Sequence, residues 1–105
     1  KPVLERVRFI HGRIGDPGSM QVKVEGNETQ PYALHFKSLW KESFSGFRAS
    51  AKPGDFMIFC PELLWAKNFY ARLFPAPNGG FVEETDRWKE ALLYLKIARE
   101  CFEKA

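Results

Sequence analysis

Sulfur and histidine are scarce in this chain, with two cysteines, two methionines and two histidines among 105 residues. Cys60 and Cys101 stand far apart with no repeated spacing. This excludes the disulfide framework that staples small secreted domains, and free buried thiols are expected. A zinc site draws on paired ligands at close spacing. His11, His35, Cys60 and Cys101 are scattered singly, so no metal is expected. No run of about 18 apolar residues occurs, so no membrane contact is expected. No charged-then-apolar leader opens the chain, and an intracellular location, cytoplasmic or nuclear, is the expectation.

The glycine patterns of the P-loop and of dinucleotide-binding folds are missing, as is the G-x-S-x-G nucleophile elbow. No cofactor is expected, and no residue is assigned a catalytic role. Asp16 and Asp55 fall in turns, where aspartate is a common structural choice. Gly15-Asp16-Pro17-Gly18 has the G-x-x-G form of a backbone-clamping loop, but its acid would repel phosphate, so it reads as a hairpin turn. Asn27-Glu28-Thr29 matches the N-glycosylation acceptor pattern and, without a secretion signal, reads as a polar turn.

Aromatic residues, by contrast, are plentiful: ten Phe, three Trp and three Tyr. Each can bury about 150–250 Å², so the chain has material for one core, and a disordered chain is excluded. The length fits a single domain, residues 1–105. It begins at Lys1 rather than Met, and the expectation is a piece of a longer protein.

Residues 3–14 are extended in character, with Val7 and Phe9 on one side and Arg6 and Arg8 on the other. After the 15–19 turn, Met20, Val22 and Val24 alternate with Gln21, Lys23 and Glu25, which predicts a strand and a hairpin with the first. A further extended run is expected from Tyr32 to Phe36. The 37–45 stretch suits a short helix or an irregular loop equally well. Gly46 to Ala51 reads as a short strand. Lys52-Pro53-Gly54-Asp55 turns the chain into Phe56-Met57-Ile58-Phe59-Cys60, a short apolar run expected to be a strand covered on both faces. Pro61-Glu62 starts a helix reaching toward Arg72, with a strand in 67–74 as the alternative. Thr85 is read as the cap of a helix from Asp86 to Lys104. Trp88, Ala91, Leu92, Leu95, Ala98 and Phe102 form its stripe, widened by Tyr94, Ile97 and Cys101.

The fold class expected is α+β. It comprises a small antiparallel, strongly curved or barrel-like sheet of about five strands, a long C-terminal helix and a second helix. The order of elements is similar in architecture to small β-barrels of OB or PUA type, and carries none of their diagnostic motifs.

The net charge is +3, all of it in residues 1–60, where nine Lys/Arg face six Asp/Glu. Within 37–52, Lys37, Lys41, Arg48 and Lys52 face only Glu42. These cations are interleaved with His35, Trp40, Phe44 and Phe47. Single-stranded nucleic acid is held in this way, with phosphates on cations and bases on rings. The function expected is a non-enzymatic module binding RNA or DNA, with Arg6, Arg8 and Arg13 extending the track. Exposure is its condition: Phe36, Trp40, Phe44 and Phe47 must meet solvent. A protein-protein assembly domain is the alternative, using Tyr94, Ile97 and Cys101 on the flank of the last helix. A hydrolase or nuclease ranks third and requires His11 or His35 beside an acid in a cleft.

Overall fold

A computed structural model describes residues 2–17, 19, 21–64 and 72–105. In chain order the elements are α1 (Pro2–Glu5), β1 (Phe9–Gly12), α2 (Pro31–Ser50), β2 (Ile58–Pro61), β3 (Leu73–Pro75), β4 (Phe81–Glu83) and α3 (Arg87–Glu103). The α+β content agrees with the sequence, but the barrel-like antiparallel sheet is corrected. The described strands form two separate pairs. β1 and β2 run parallel, with Phe9 opposite Ile58 and His11 opposite Cys60. β3 and β4 form an antiparallel hairpin. Parallel strands need a crossover between them, and α2 provides it.

α2 runs for 20 residues through both the strand expected at 32–36 and the strand expected at 46–51. Pro31 starts it, since its fixed φ suits the first turn and its missing N–H has no partner there anyway. Ala33, Trp40, Phe44 and Phe47 are buried along one side at helical spacing. Gly46 lets α1 approach closely, because a Cβ there would stand 2.5 Å from the Glu5 Cα. Lys52-Pro53 follows the end of the helix, and a residue preceding proline is driven out of the α region.

α3 matches its expected span, with a different cap. Asp86, not Thr85, accepts the amides of Trp88 at 2.9 Å and Lys89 at 3.3 Å. The outward and inward faces also differ from expectation. Tyr94, Ile97, Ala98 and Cys101 are buried, whereas Trp88, at 72% exposure, and Leu92 face solvent. α3 packs on α2, and the flank of the stripe is the side that meets it.

The core gathers Ile14, Val22, Val24, Trp40, Phe44, Tyr94, Ile97, Ala98 and Cys101. The Trp40 and Phe59 rings meet edge to face at 4.9 Å, and Tyr94 adds a tilted contact with Trp40 at 6.0 Å. Side chains alternate across a strand, so Ile10 and Phe59 pack on this core while Phe9, His11, Ile58 and Cys60 share the other face. Phe9, His11 and Ile58 are exposed. The 56–60 run is thus covered on one face only, and Phe56, before the strand, is 76% exposed.

Residues 21–25 bury Val22 and Val24 as their alternation requires, yet form no strand. Their amides are taken elsewhere: Val22 donates to the Ile14 carbonyl, while Val24 and Glu25 donate to the Glu90 carboxylate. Met20 lies outside the described residues, as do 65–71, half of the helix or strand expected across 61–74. Within that stretch 62–64 are non-helical and Leu73–Pro75 is strand. The radius of gyration, 15.5 Å, exceeds the roughly 13 Å of a compact chain of this length, so the molecule is elongated. Among the described residues no helix is long and apolar enough to cross a membrane.

Candidate functional site

The alternation that buries Ile10 and Phe59 turns His11 and Arg13 to the opposite side of β1, and Cys60 and Glu62 to that same side of β2. The parallel register sets His11 beside Cys60 and Gly12 beside Pro61. The ladder then runs one step further, since the Glu62 amide donates to the Gly12 carbonyl at 2.7 Å. Glu62 therefore arrives level with Arg13, just past the ends of both strands.

Its carboxylate joins two groups. Oε2 lies 3.2 Å from His11 Nδ1, and Oε1 accepts from Arg13 Nη1 at 3.3 Å. A carboxylate on Nδ1 favours the tautomer that carries the proton there and leaves Nε2 as an acceptor. The Phe9 ring lies 4.9 Å from the imidazole and steadies it from the same face.

A hollow of about 860 Å³ opens here, at the carboxyl ends of β1 and β2 and over the first turns of α2. His11, Arg13 and Glu62 line it from the sheet, Gly15, Asp16, Pro17 and Ser19 from the following loop, and Pro31, Tyr32, His35 and Phe36 from the helix. Both histidines of the chain therefore face one cavity. Burial raises the Tyr32 phenol above its ordinary pKa, with the acids Glu84 and Asp16 adding to the effect. Among the described residues no cluster of three or more His, Cys, Asp or Glu side chains is arranged to hold a metal.

The residues expected to bind nucleic acid are dispersed. Trp40, Phe44 and Phe47 are buried in the core, and Phe36 is half-buried, so the first three offer no face for base stacking. Arg13 and His35 belong to the hollow at the strand ends. Arg8 donates to the Val7 carbonyl and to Ser50 Oγ, and lies over the Phe47 ring, tying the chain before β1 to α2. Arg48 donates to the Phe102 carbonyl at the end of α3 and stacks on its ring. Arg6, Arg8 and Lys41 line a second hollow together with Glu5 and Glu42. Lys37 is half-buried near Cys101, and Lys52 is exposed in the turn before β2.

The residues expected to meet a protein partner are internal. Tyr94 and Ile97 lie in the core, and the Cys101 thiol donates to the Lys37 carbonyl at 3.7 Å. Burial raises the pKa of that thiol, which disfavours the reactive thiolate.

Glu62 is the residue of this candidate site that the sequence does not single out, since Pro61-Glu62 reads as a helix start. The available signal was the i, i+2 spacing of His11 with Arg13 and of Cys60 with Glu62, in two strands on one face. Comparisons with family models, with characterised proteins and with solved structures return no match for this chain.

Proposed function

We propose that this chain carries an acid–base site, in which His11 exchanges a proton with a small polar substrate lodged at the strand ends. Glu62 orients the imidazole through Nδ1, and Arg13 holds the other oxygen of the same carboxylate. Nε2 is then the atom offered to the substrate. A base held in one tautomer by an acid is the arrangement that general acid–base catalysis requires. The observation that carries the reading is the 3.2 Å contact of His11 with Glu62 inside a cleft that His35 also lines. Hydrolysis, with His11 drawing a proton from water, is the simplest chemistry this pair supports.

The test is turnover of a panel of chromogenic esters and phosphoesters by wild type, His11→Ala and Glu62→Gln. Removing a general base lowers the rate by about 10²–10⁴-fold, and His11→Ala should fall in that range. Equal rates for wild type and His11→Ala on every member of the panel sink the reading.

One observation favours a second reading, nucleic-acid binding through cations alone: Arg6, Arg8 and Lys41 line a common hollow. Phosphate contacts make affinity fall steeply with salt. An anisotropy titration with a labelled single strand that shows no salt dependence, or no loss on charge reversal at Arg6 and Lys41, removes it.

A further inference from the structure

Gln21 is buried, and both ends of its side-chain amide are used on a single backbone unit. Nε2 donates to the Leu64 carbonyl at 3.0 Å, and Oε1 accepts the Leu64 amide at 2.8 Å. This two-point clasp imitates a strand pairing. It joins the stretch that carries Glu62 to the loop whose residues Gly15, Asp16, Pro17 and Ser19 wall the hollow. On its other side the same loop is tied to α3, where the Ile14 amide meets the Tyr94 hydroxyl at 3.1 Å. Glu62 is thus held at two points, by its own amide on the Gly12 carbonyl and by the clasp two residues later.

We propose that Gln21 is a positioning residue of the site, fixing the 62–64 backbone so that the Glu62 carboxylate reaches His11 Nδ1. The inference rests on the acid–base reading of the His11–Glu62 pair. A buried amide whose donor and acceptor are both satisfied cannot be exchanged for an apolar side chain without leaving the Leu64 groups unpaired. Without the clasp the Glu62 backbone is anchored only through its own amide, and a misplacement of about 1 Å is enough to cost a catalytic contact.

The experiment uses the full chain labelled with ¹⁵N and reads two signals. The long-range ¹⁵N–¹H pattern of the His11 ring reports which nitrogen bears the proton, and amide exchange reports the Leu64 N–H. In wild type the His11 proton should sit on Nδ1, and the Leu64 amide should be protected. Glu62→Gln should weaken the Nδ1–H signature; if it does not, the acid–base reading itself fails. If Glu62→Gln moves the signature and Gln21→Met does not, the site stands and the positioning role is overturned. Gln21→Met should also speed Leu64 exchange by about tenfold, the loss of one net hydrogen bond.

Tyr94→Phe is the control, because it loosens the same loop without touching the clasp, and it should leave the His11 signature in place. Should Gln21→Met not fold, Gln21→Asn decides. Its amide is one methylene shorter and cannot span both Leu64 groups, so partial loss of the Nδ1–H signature is expected. A wild-type signature in that variant overturns the proposal.

Discussion

Replacing Glu90 separates two effects that its burial joins. The side chain is 1% exposed, in the first turn of α3, and Oε1 accepts the Val24 amide at 2.7 Å and the Glu25 amide at 3.3 Å. Oε2 makes no hydrogen bond among the described residues. Burial raises the carboxyl pKa above 4.5; the two amides and the Thr85 side chain pull it down, and the Glu25 charge adds to the rise. Glu90→Ala leaves the Val24 amide buried without a partner, a loss of about 1–3 kcal/mol. At about 4–8 °C per kcal/mol for a small domain, Tm should fall by about 4–24 °C. Glu90→Gln keeps an acceptor for both amides and removes the titration.

A carboxyl whose pKa is raised on folding binds its proton more tightly in the native state. Its stabilising contribution is complete below the unfolded value, near 4.5, and is lost as pH rises through the folded value. The slope is at most about 1.4 kcal/mol per pH unit for one proton. Urea unfolding of both proteins from about pH 4 to about pH 8 reads the effect. The stability difference, wild type minus Glu90→Gln, should decline from about pH 4.5 upward and then level off. Tyr94 does not interfere, because burial pushes its hydroxyl up to about 12. A difference that is flat or rises with pH refutes the argument.

Tyr94→Phe removes the acceptor of the buried Ile14 amide; a loss of about 1–3 kcal/mol is expected, with faster exchange at Ile14 as the check. The tryptophans should divide by burial. Trp40→Ala, which empties the contact with Phe59 and Tyr94, should cost about 3–5 kcal/mol. Trp88→Ala, on the exposed side of α3, should stay within about 0.5 kcal/mol by chemical denaturation.

Legibility followed the range of the interactions. The span of α3 was readable because its start and end signals lie within one short stretch of sequence, whereas its cap, Asp86, and its buried face around Tyr94 and Ile97 were not. Val22 and Val24 are inside, but so is Gln21 of the alternate phase, and alternation does not say what the backbone bonds to. Here the partner is a glutamate far along the chain, and the strand does not form. α2 was broken into pieces because Tyr32 and Phe36 are residues that strands also favour. The spacing that decides, from Ala33 through Trp40 and Phe44 to Phe47, appears only over the whole helix. Within the basic-aromatic pattern of 35–52, the whole helix likewise decides which rings are inside: Trp40, Phe44 and Phe47 are buried against β2 and α3, and Arg48 is itself tied to α3 at Phe102.

The candidate site was illegible for a different reason. His11 and Glu62 are 51 positions apart, and what unites them is parallel pairing, which no local pattern announces. An antiparallel sheet brings the end of one strand to the start of the next, whereas a parallel pair brings two ends together. Only the second geometry gathers residues that follow β1 with residues that follow β2. The period of two then selects which of them share a face: His11 and Arg13 from one strand, Glu62 from the other. Shift the register by a single residue and Glu62 would turn toward the core while Phe59 turned out, leaving the imidazole without its carboxylate. The contact of His11 with Glu62 therefore depends on the crossover made by α2, and on a pairing that leaves one side of a two-stranded sheet open.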